Sequence, residues 1–356
     1  MNGVIILDKS AGCTSHDMVN RMRRILGQRS IGHLGTLDPL ATGVLPLVTG
    51  SFTRLAQFYT QSEKTYEGVI RFGFATNTYD ADGDPLGINV GTAAPFASSG
   101  QTPVSPQDRW PDLDPDLSPD LSLDMLQKLS TEFLGLIEQV PPPFSAKKIH
   151  GVPAYKLARK QKEVVLAPVQ VEVKEFTILS VAADRACFRA RVSSGTYMRS
   201  IAHEMGRRIG CGAHLESLRR TSVAEFDIGQ AHTLEEIEGT NSETVSVPHI
   251  KNATQNCHSD RSLASPQGKG SEVEEPAVSK AMSALFIHPR QLLPQLPCVT
   301  ADEATVTRIR NGRPVNLLEL SRARQVKVFQ GQYDLIAIAT RVAGTLFHPK
   351  IVFPVE

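Results

Sequence analysis

Residues 32–50, GHLGTLDPLATGVLPLVTG, contain a single acidic residue, Asp38, placed before Pro39, between Gly35 and Gly43, with His33 just upstream. The apolar run at 44–48 that follows reads as a buried strand. A lone carboxylate on a Gly- and Pro-shaped loop against such a strand is costly to place for structural reasons alone, and desolvation tunes such a group for chemistry. Three other groups stand out: Tyr66 shortly after Lys64, the segment Ser194-Gly195-Thr196-Tyr197-Met198-Arg199, and His214 through Leu218-Arg219-Arg220. An arginine at a strand-to-helix turn can hold a carboxylate as an ion pair and keep it ionised at neutral pH. A tyrosine offers a flat face for stacking a base and a phenol for proton transfer. Taken singly, each has a plainer reading as a core tyrosine, a surface arginine or a turn histidine. Together they suit chemistry at an extruded nucleobase.

The elements that must position these residues can be read from periodicity. Residues 4–7 read as a strand, and Thr14 or Ser15 can cap a helix carrying Met18, Val19, Met22, Ile25 and Leu26, closed by Gly27. Ser51 can cap a short helix with Phe52, Leu55, Phe58 and Tyr59, and across 64–73 Tyr66, Gly68, Ile70 and Phe72 share one strand face. Leu123, Leu126, Leu129 and Phe133 suggest a helix, and Pro153 suits the first turn of another that ends near Lys162. Residues 164–182 and 187–192 read as long strands, 198–209 as a helix closed by Gly210, and 215–226 as a strand. A helix at 301–310, ended by Asn311-Gly312, and short strands at 326–329, 334–340 and 347–353 would make a small β-barrel-like module. The Pro-, Ser-, Ala- and Asp-rich stretch 91–121 reads as a disordered insertion, and 239–283 as a linker. Asp80-Ala81-Asp82-Gly83-Asp84 resembles a calcium loop, but its glycine is misplaced and Gly91 stands where the closing glutamate belongs, so a turn of solvated acids is expected.

The 356 residues suggest two domains, and a net charge of +1 gives no global basicity. Local basic groups could still form one face: Arg21 to Arg29, Lys147 to Lys162, and Arg207, Arg208, Arg219 and Arg220. Five scattered cysteines without a CxxC pair argue against disulfides and zinc and fit a reducing cytosol. Neither H-E-x-x-H nor G-x-x-x-x-G-K-S/T occurs. The N-terminus reads as a first strand and not as a signal peptide, and no apolar run approaches the roughly 20 residues a membrane helix requires.

Seven blocks, in order, carry a specific resemblance: GVIILDK, GHLGTLDPLATGVLPLVTG, KTYEGVIRFG, TNTYDADG, PPPFSAKKIHGVPAYKLAR, SSGTYMRSIAHEMG and GCGAHLESLRRTSV. Over most of residues 3–227 the sequence resembles the TruB-type tRNA pseudouridine synthases, the family that isomerises uridine 55 in the T loop of tRNA. The resemblance implies an α+β fold, with a mixed, largely antiparallel central sheet flanked by helices and a small C-terminal β-barrel-like domain of PUA type. It divides the chain into a catalytic domain at 1–238, a linker at 239–283 and an RNA-binding module at 284–356. It implies that Asp38 is the catalytic aspartate, that Tyr66 stacks on the flipped base and takes the C5 proton, and that Arg199 pairs with the aspartate. Tyr197 and Leu218 would line the uracil pocket, and His33 would fill the space the flipped nucleotide leaves. Lys9 and Lys148 would contact the substrate end or shape the pocket, with Arg219 and Arg220 as further RNA contacts. No cofactor and no metal are implied, because the product is an isomer of the substrate. The expected partner is the tRNA T stem-loop, with no membrane, no obligate protein partner, a monomeric state and a cytoplasmic location. Ser10, Asn77, Phe144 and Lys147 depart from the family's common residues, all outside the implied catalytic set. Two alternatives are a guide-RNA-dependent relative acting on ribosomal RNA and a non-catalytic tRNA-binding or folding module. A compact N-terminus and the lack of a Lys-rich tail favour the stand-alone enzyme.

Overall fold

Val4, Ile5, Ile6 and Leu7 are all buried because β1 (Gly3–Lys9) is covered on both faces: Ile5 and Leu7 enter one apolar core, Val4 and Ile6 another. The structure, a computed structural model, describes residues 1–86, 121–145, 147–149, 151–160, 166–242 and 280–354. The insertion expected at 91–121, apart from Leu121, and the linker stretch 243–279 lie outside the described residues.

After β1, α1 (Ser15–Ile25) starts from a reciprocal capping box between Thr14 and Asp17 and buries Met18, Val19 and Met22. Next, β2 (Ile31–His33) and β3 (Thr42–Thr49) bracket the Asp38 loop. A 3₁₀ turn at Gly50–Leu55 leads into α2 (Ala56–Tyr59). Ser51 does not cap this segment; the turn begins after Thr49, and the Ser51 amide donates to Asn2 Oδ1 at 2.5 Å. Then come β4 (Lys64–Phe72), α3 (Leu123–Thr131) and β5 (Gly135–Gln139). The small hairpin β6 (Lys148–Ile149) and β7 (Val152–Pro153) precedes α4 (Ala154–Ala158). Pro153 is the N-cap of that short helix, which stops well before Lys162. Next are β8 (Val169–Ala182), β9 (Arg185–Val192), α5 (Met198–Ile209), β10 (Ala213–Val223), β11 (Phe226–Asp227) and α6 (Leu234–Ser242). Gly210 caps α5 in the left-handed conformation at φ 87°.

The large strands form one sheet in the order β1-β3-β10-β4-β9-β8-β5, with β2 beside β3 and β11 beside β10. Every pairing is antiparallel except β3 with β10, where Thr42 faces Arg219 and Gly43 faces Arg220. That one parallel seam joins segments far apart in sequence. It also brings two chemically suggestive blocks side by side.

The C-terminal region begins with α7 (Lys280–Ala284), whose Met282 is buried in the core of the large sheet, and Ile287 N donates to Val4 O at 2.8 Å. Structure therefore reaches into both ends of the stretch read as linker, through α6 and α7. Beyond lie β12 (Cys298–Thr300), α8 (Glu303–Arg310), β13 (Val315–Asn316), β14 (Gln325–Gln330), β15 (Asp334–Ala343) and β16 (Leu346–Val352). Their order is β12-β14-β15-β16-β13, a curled sheet of half-barrel form, as the barrel-like reading expected. Phe329, Leu335, Ile338, Ile351 and Phe353 share a core with Val44, Val48 and Phe52 of the first sheet, and the Phe52 and Phe353 rings meet edge-on at 5.1 Å.

Gly43 decides whether the parallel seam can close. Its φ is +99°, and a Cβ there would lie 2.2 Å from the Arg220 carbonyl oxygen. Gly43→Ala is expected to lower stability by about 3 kcal/mol, from backbone strain and overpacking together. Thermal and urea unfolding measure this; an unchanged midpoint would mean that β3 and β10 do not approach so closely.

Candidate functional site

The loop between β2 and β3 is held from beneath by buried donors. Lys9, wholly buried, donates from Nζ to Ala41 O (2.6 Å), Ser10 O (2.9 Å) and Pro39 O (3.2 Å). Arg220, also wholly buried, donates to Val44 O (2.8 Å), Gly35 O (3.0 Å) and Thr36 O (3.1 Å). Ser15 Oγ accepts from Leu37 N at 2.8 Å, and Ala41 N closes a turn onto Asp38 O at 3.1 Å, with Pro39 at the position where a fixed φ favours it. These bonds leave the Asp38 side chain projecting from a fixed turn.

Arg199 stands opposite, in the first turn of α5. Its Nε lies 2.9 Å from Asp38 Oδ2, but the N–H is not aligned for a hydrogen bond, so the contact is mainly Coulombic. Its Nη1 lies 3.4 Å from Asp80 Oδ2 and donates to Thr78 O at 3.1 Å, and Nη2 donates to Phe144 O at 3.2 Å. The three side chains differ in exposure: 5% for Arg199, 6% for Asp80 and 37% for Asp38. Asp38 is thus open towards solvent, contrary to the desolvation expected of it, because the space in front of it is a cavity.

That cavity, of about 390 Å³, is lined by Asp38, Tyr66, Tyr197, Leu218, His33 and Arg199, together with Tyr59 and Lys64. Burial pushes the Tyr66 phenol up, while the hydrogen-bonded Arg220 guanidinium pulls the other way. Burial and then Asp38 raise Tyr197. Burial, then Arg220 and His16, lower His33, so its ring is neutral near pH 7. Burial also raises Asp80, against the Thr78 hydroxyl and Arg199. The backbone behind Asp80 is unusual as well: Tyr79 has φ +65° and stacks on His203 with ring centres 3.8 Å apart.

The sequence-based site therefore assembles in part. Asp38, Tyr66, Arg199, Tyr197, Leu218 and His33 converge on one cavity. Lys9 and Arg220 are not on an RNA-facing surface; each is sealed in the interior, its charge directed at loop carbonyls. Arg219 is half-exposed but engaged with Asp8 through both guanidinium ends, at 2.7 and 3.1 Å. Lys148 is exposed on the β6–β7 hairpin and does not line the cavity. Asp80, expected as a solvated acid, is a buried partner of Arg199. The sequence signal for it was present: TNTYDADG was one of the resembling blocks, but its acids read more readily as a turn. Among the described residues no cluster of acidic, histidine or cysteine side chains could hold a metal ion.

The comparisons with known proteins bear on the family and the fold. The TruB family pseudouridylate synthase N-terminal domain matches residues 23–95 and 112–198, and the tRNA pseudouridylate synthase B C-terminal domain matches 199–246. A tRNA pseudouridine synthase B of Solibacter usitatus (strain Ellin6076) is 40% identical over 355 residues, which is 99% of this chain and 100% of that protein. The chain belongs to the TruB family of pseudouridine synthases. The Aquifex aeolicus (strain VF5) member is 38% identical over 238 residues, 66% of this chain and 73% of its own. Among solved structures, an H/ACA ribonucleoprotein bound to a substrate RNA containing 2′-deoxyuridine and a Cbf5–Nop10–Gar1 complex each superpose with a TM-score of 0.61 at 20% identity. They cover 99% and 98% of this chain, and 85% and 84% of their own chains. At that identity the likeness concerns the fold: a mixed central sheet with helices, joined to a curled C-terminal sheet of PUA-like form.

The two neighbouring arginines give opposite expectations. Arg220→Met removes the wholly buried guanidinium and its three bonds to Val44 O, Gly35 O and Thr36 O, and is expected to cost about 3 kcal/mol. Arg219→Ala breaks an exposed pair and is expected to cost under about 1 kcal/mol. Urea denaturation of the two variants compares them directly; equal losses would contradict the burial difference.

Proposed function

We propose that this enzyme isomerises uridine 55 in the T loop of tRNA to pseudouridine, acting on free tRNA without a guide RNA. The observation that carries this is the Asp38 carboxylate facing a cavity shared with Tyr66 and Tyr197, with Arg199 beside it, in a member of this family. The relatives' name, tRNA pseudouridine synthase B, supports tRNA as the substrate. The cavity's size suits a single nucleoside, since small-ligand sites span about 300–1,000 Å³.

The reaction breaks the C1′–N1 bond and forms a C1′–C5 bond. No atom is gained or lost, so no oxidant, metal or triphosphate is required overall. In this reading the uridine flips out of its loop, at a cost of a few kcal/mol. Asp38 then attacks C1′, removes the C2′ proton or adds to C6; each route begins from an ionised carboxylate. Arg199 sets a fixed positive charge beside that carboxylate. Tyr66 stacks on the detached uracil and takes the C5 proton after the new bond forms, a step for which its phenol must first give up its own proton beside the Arg220 guanidinium that favours the phenolate, and Tyr197 and Leu218 close the walls against water. His33, which lines the same cavity, fills the place vacated by the base. Residues 1–238 would be the catalytic domain, with the 280–287 segment laid along its edge, and 284–356 the RNA-binding module. No described helix is long and apolar enough to cross a membrane, and the expected site of action is the cytoplasm, as a monomer.

Asp38→Asn is expected to abolish turnover while leaving tRNA affinity within a few-fold, because the substitution keeps shape and removes charge. Tritium release from a T-arm stem–loop labelled at uridine C5, without guide RNA, measures turnover. Wild-type release by the asparagine variant would remove Asp38 from its role. An inactive wild-type enzyme on the bare stem–loop would favour guided action or a binding role.

A further inference from the structure

Lys64 opens β4, two residues before Tyr66 on the same face, and lines the cavity. Its Nζ donates to Ser62 O at 2.9 Å, and among the described residues no carboxylate lies within ion-pair distance of it. Its aliphatic stem lies against Gly35, where Arg220 also arrives: a Cβ on Gly35 would meet Lys64 Cε at 3.5 Å and Arg220 Nη1 at 3.4 Å. A partly buried cation at the cavity wall, Lys64, thus has the sealed Arg220 cation close behind it. The other charged or titratable groups around Lys64 do not neutralise it. His33 and Tyr66 are neutral, Asp38 is engaged by Arg199, and the adjacent Glu63 is paired with Lys174 and Arg191.

Such a wall gains most from a ligand with a full negative charge. In RNA that charge resides on the phosphates, because uracil is neutral. An everted nucleotide is joined to the chain by two phosphates, which must pass the cavity mouth. We propose that Lys64 receives a phosphate flanking the flipped uridine and so fixes the nucleotide in the cavity. This rests on the tRNA-modifying reading above. A compact ammonium suits this role, as a point charge that need not match a planar acceptor.

The protonation state supports the geometry. Burial, and then Arg220, push the Lys64 ammonium down to about 8. An arriving phosphate favours the charged form and raises that value. Binding therefore takes up a proton above about pH 8, and affinity declines as pH rises through that point.

The test measures filter binding of the T-arm stem–loop in the Asp38→Asn background, where substrate is not consumed. Lys64→Gln is expected to weaken binding about tenfold and to lower the salt slope by about one phosphate. Its melting temperature should not fall. Lys64→Arg should keep the affinity and lose the decline above pH 8. A single methylphosphonate beside the target uridine, tried at each flanking position, should weaken the Lys64 protein about tenfold at one of them. It should leave Lys64→Gln unaffected. Unchanged affinity and salt slope in Lys64→Gln, or equal methylphosphonate effects with and without Lys64, would overturn the proposal. If the wild-type enzyme releases tritium and Lys64→Gln binds normally, only this inference fails. If wild-type releases none, the reaction reading fails, and the binding comparison still decides whether Lys64 holds a phosphate.

Discussion

A carboxylate that must react with a bound nucleoside cannot also be fixed by a full set of protein hydrogen bonds. Its loop has to be held by other means. Here the loop hangs from two interior cations, Lys9 on one side and Arg220 on the other, whose donors end on six backbone carbonyls. Burying an unpaired cation carries a penalty of several kcal/mol. Charge-assisted bonds to carbonyls offset much of it, and a loop of glycine and proline can turn its carbonyls inward to supply them. The acid's freedom at the surface and the cations' burial beneath it are two sides of one arrangement.

Much of this was legible in the sequence, and the misreadings share a cause. The bounds of α5, the Thr14 cap and the inward face of β4 follow from local periodicity and capping chemistry, which a sequence displays directly. The convergence of Asp38, Tyr66 and Arg199 was legible through ordered blocks and not through spacing. Arg220 was misread as an RNA contact, and of the two readings given for Lys9 the contact with the substrate end fails while the shaping of the pocket does not, because residue type shows charge but not depth. Their depth follows from non-local pairing, β1 with β3 and the parallel register of Gly43 with Arg220. Asp80 was misread for the same reason. An acidic run with glycine has the composition of a solvated turn, and only the bridge between Asp80 and Leu215 carries it inside. The barrel-like character of the C-terminal module was legible too, since its short strands with turns between them read as a curling sheet.

The second sheet is tied to the cavity by more than apolar packing. Glu225, just after β10, accepts from Tyr59 Oη at 2.6 Å and from Leu293 N at 2.8 Å with the same oxygen. Tyr59 is itself part of the cavity lining, and burial followed by Glu225 keeps its phenol protonated as the donor. Leu293 leads into the C-terminal sheet, where buried Lys327 donates to the carbonyls of Arg290 and Leu292. One carboxylate oxygen therefore links the wall of the nucleoside site to the start of the second module. A displacement of either side must stretch a short, partly buried hydrogen bond, so the two units are mechanically connected at this point.

The division of Arg199 between partners explains how the site can tolerate changes at Asp38 during a reaction. If Arg199 gave both ends of its guanidinium to Asp38, any step that altered the carboxylate would leave an unpaired buried cation. Instead Nη1 faces Asp80 and Thr78 O, Nη2 holds Phe144 O, and only Nε is turned towards Asp38. Asp80 is the more buried acid and does not line the cavity, so it stands as a counter-charge to Arg199 away from the site of binding. Asp38 can then gain a covalent bond or a proton while Arg199 remains anchored and charge-compensated. On the reaction proposed above, a single carboxylate beside the same arginine would have to serve both as reactant and as fixed partner, whereas Arg199 has two acids at hand, the more exposed Asp38 and the buried Asp80.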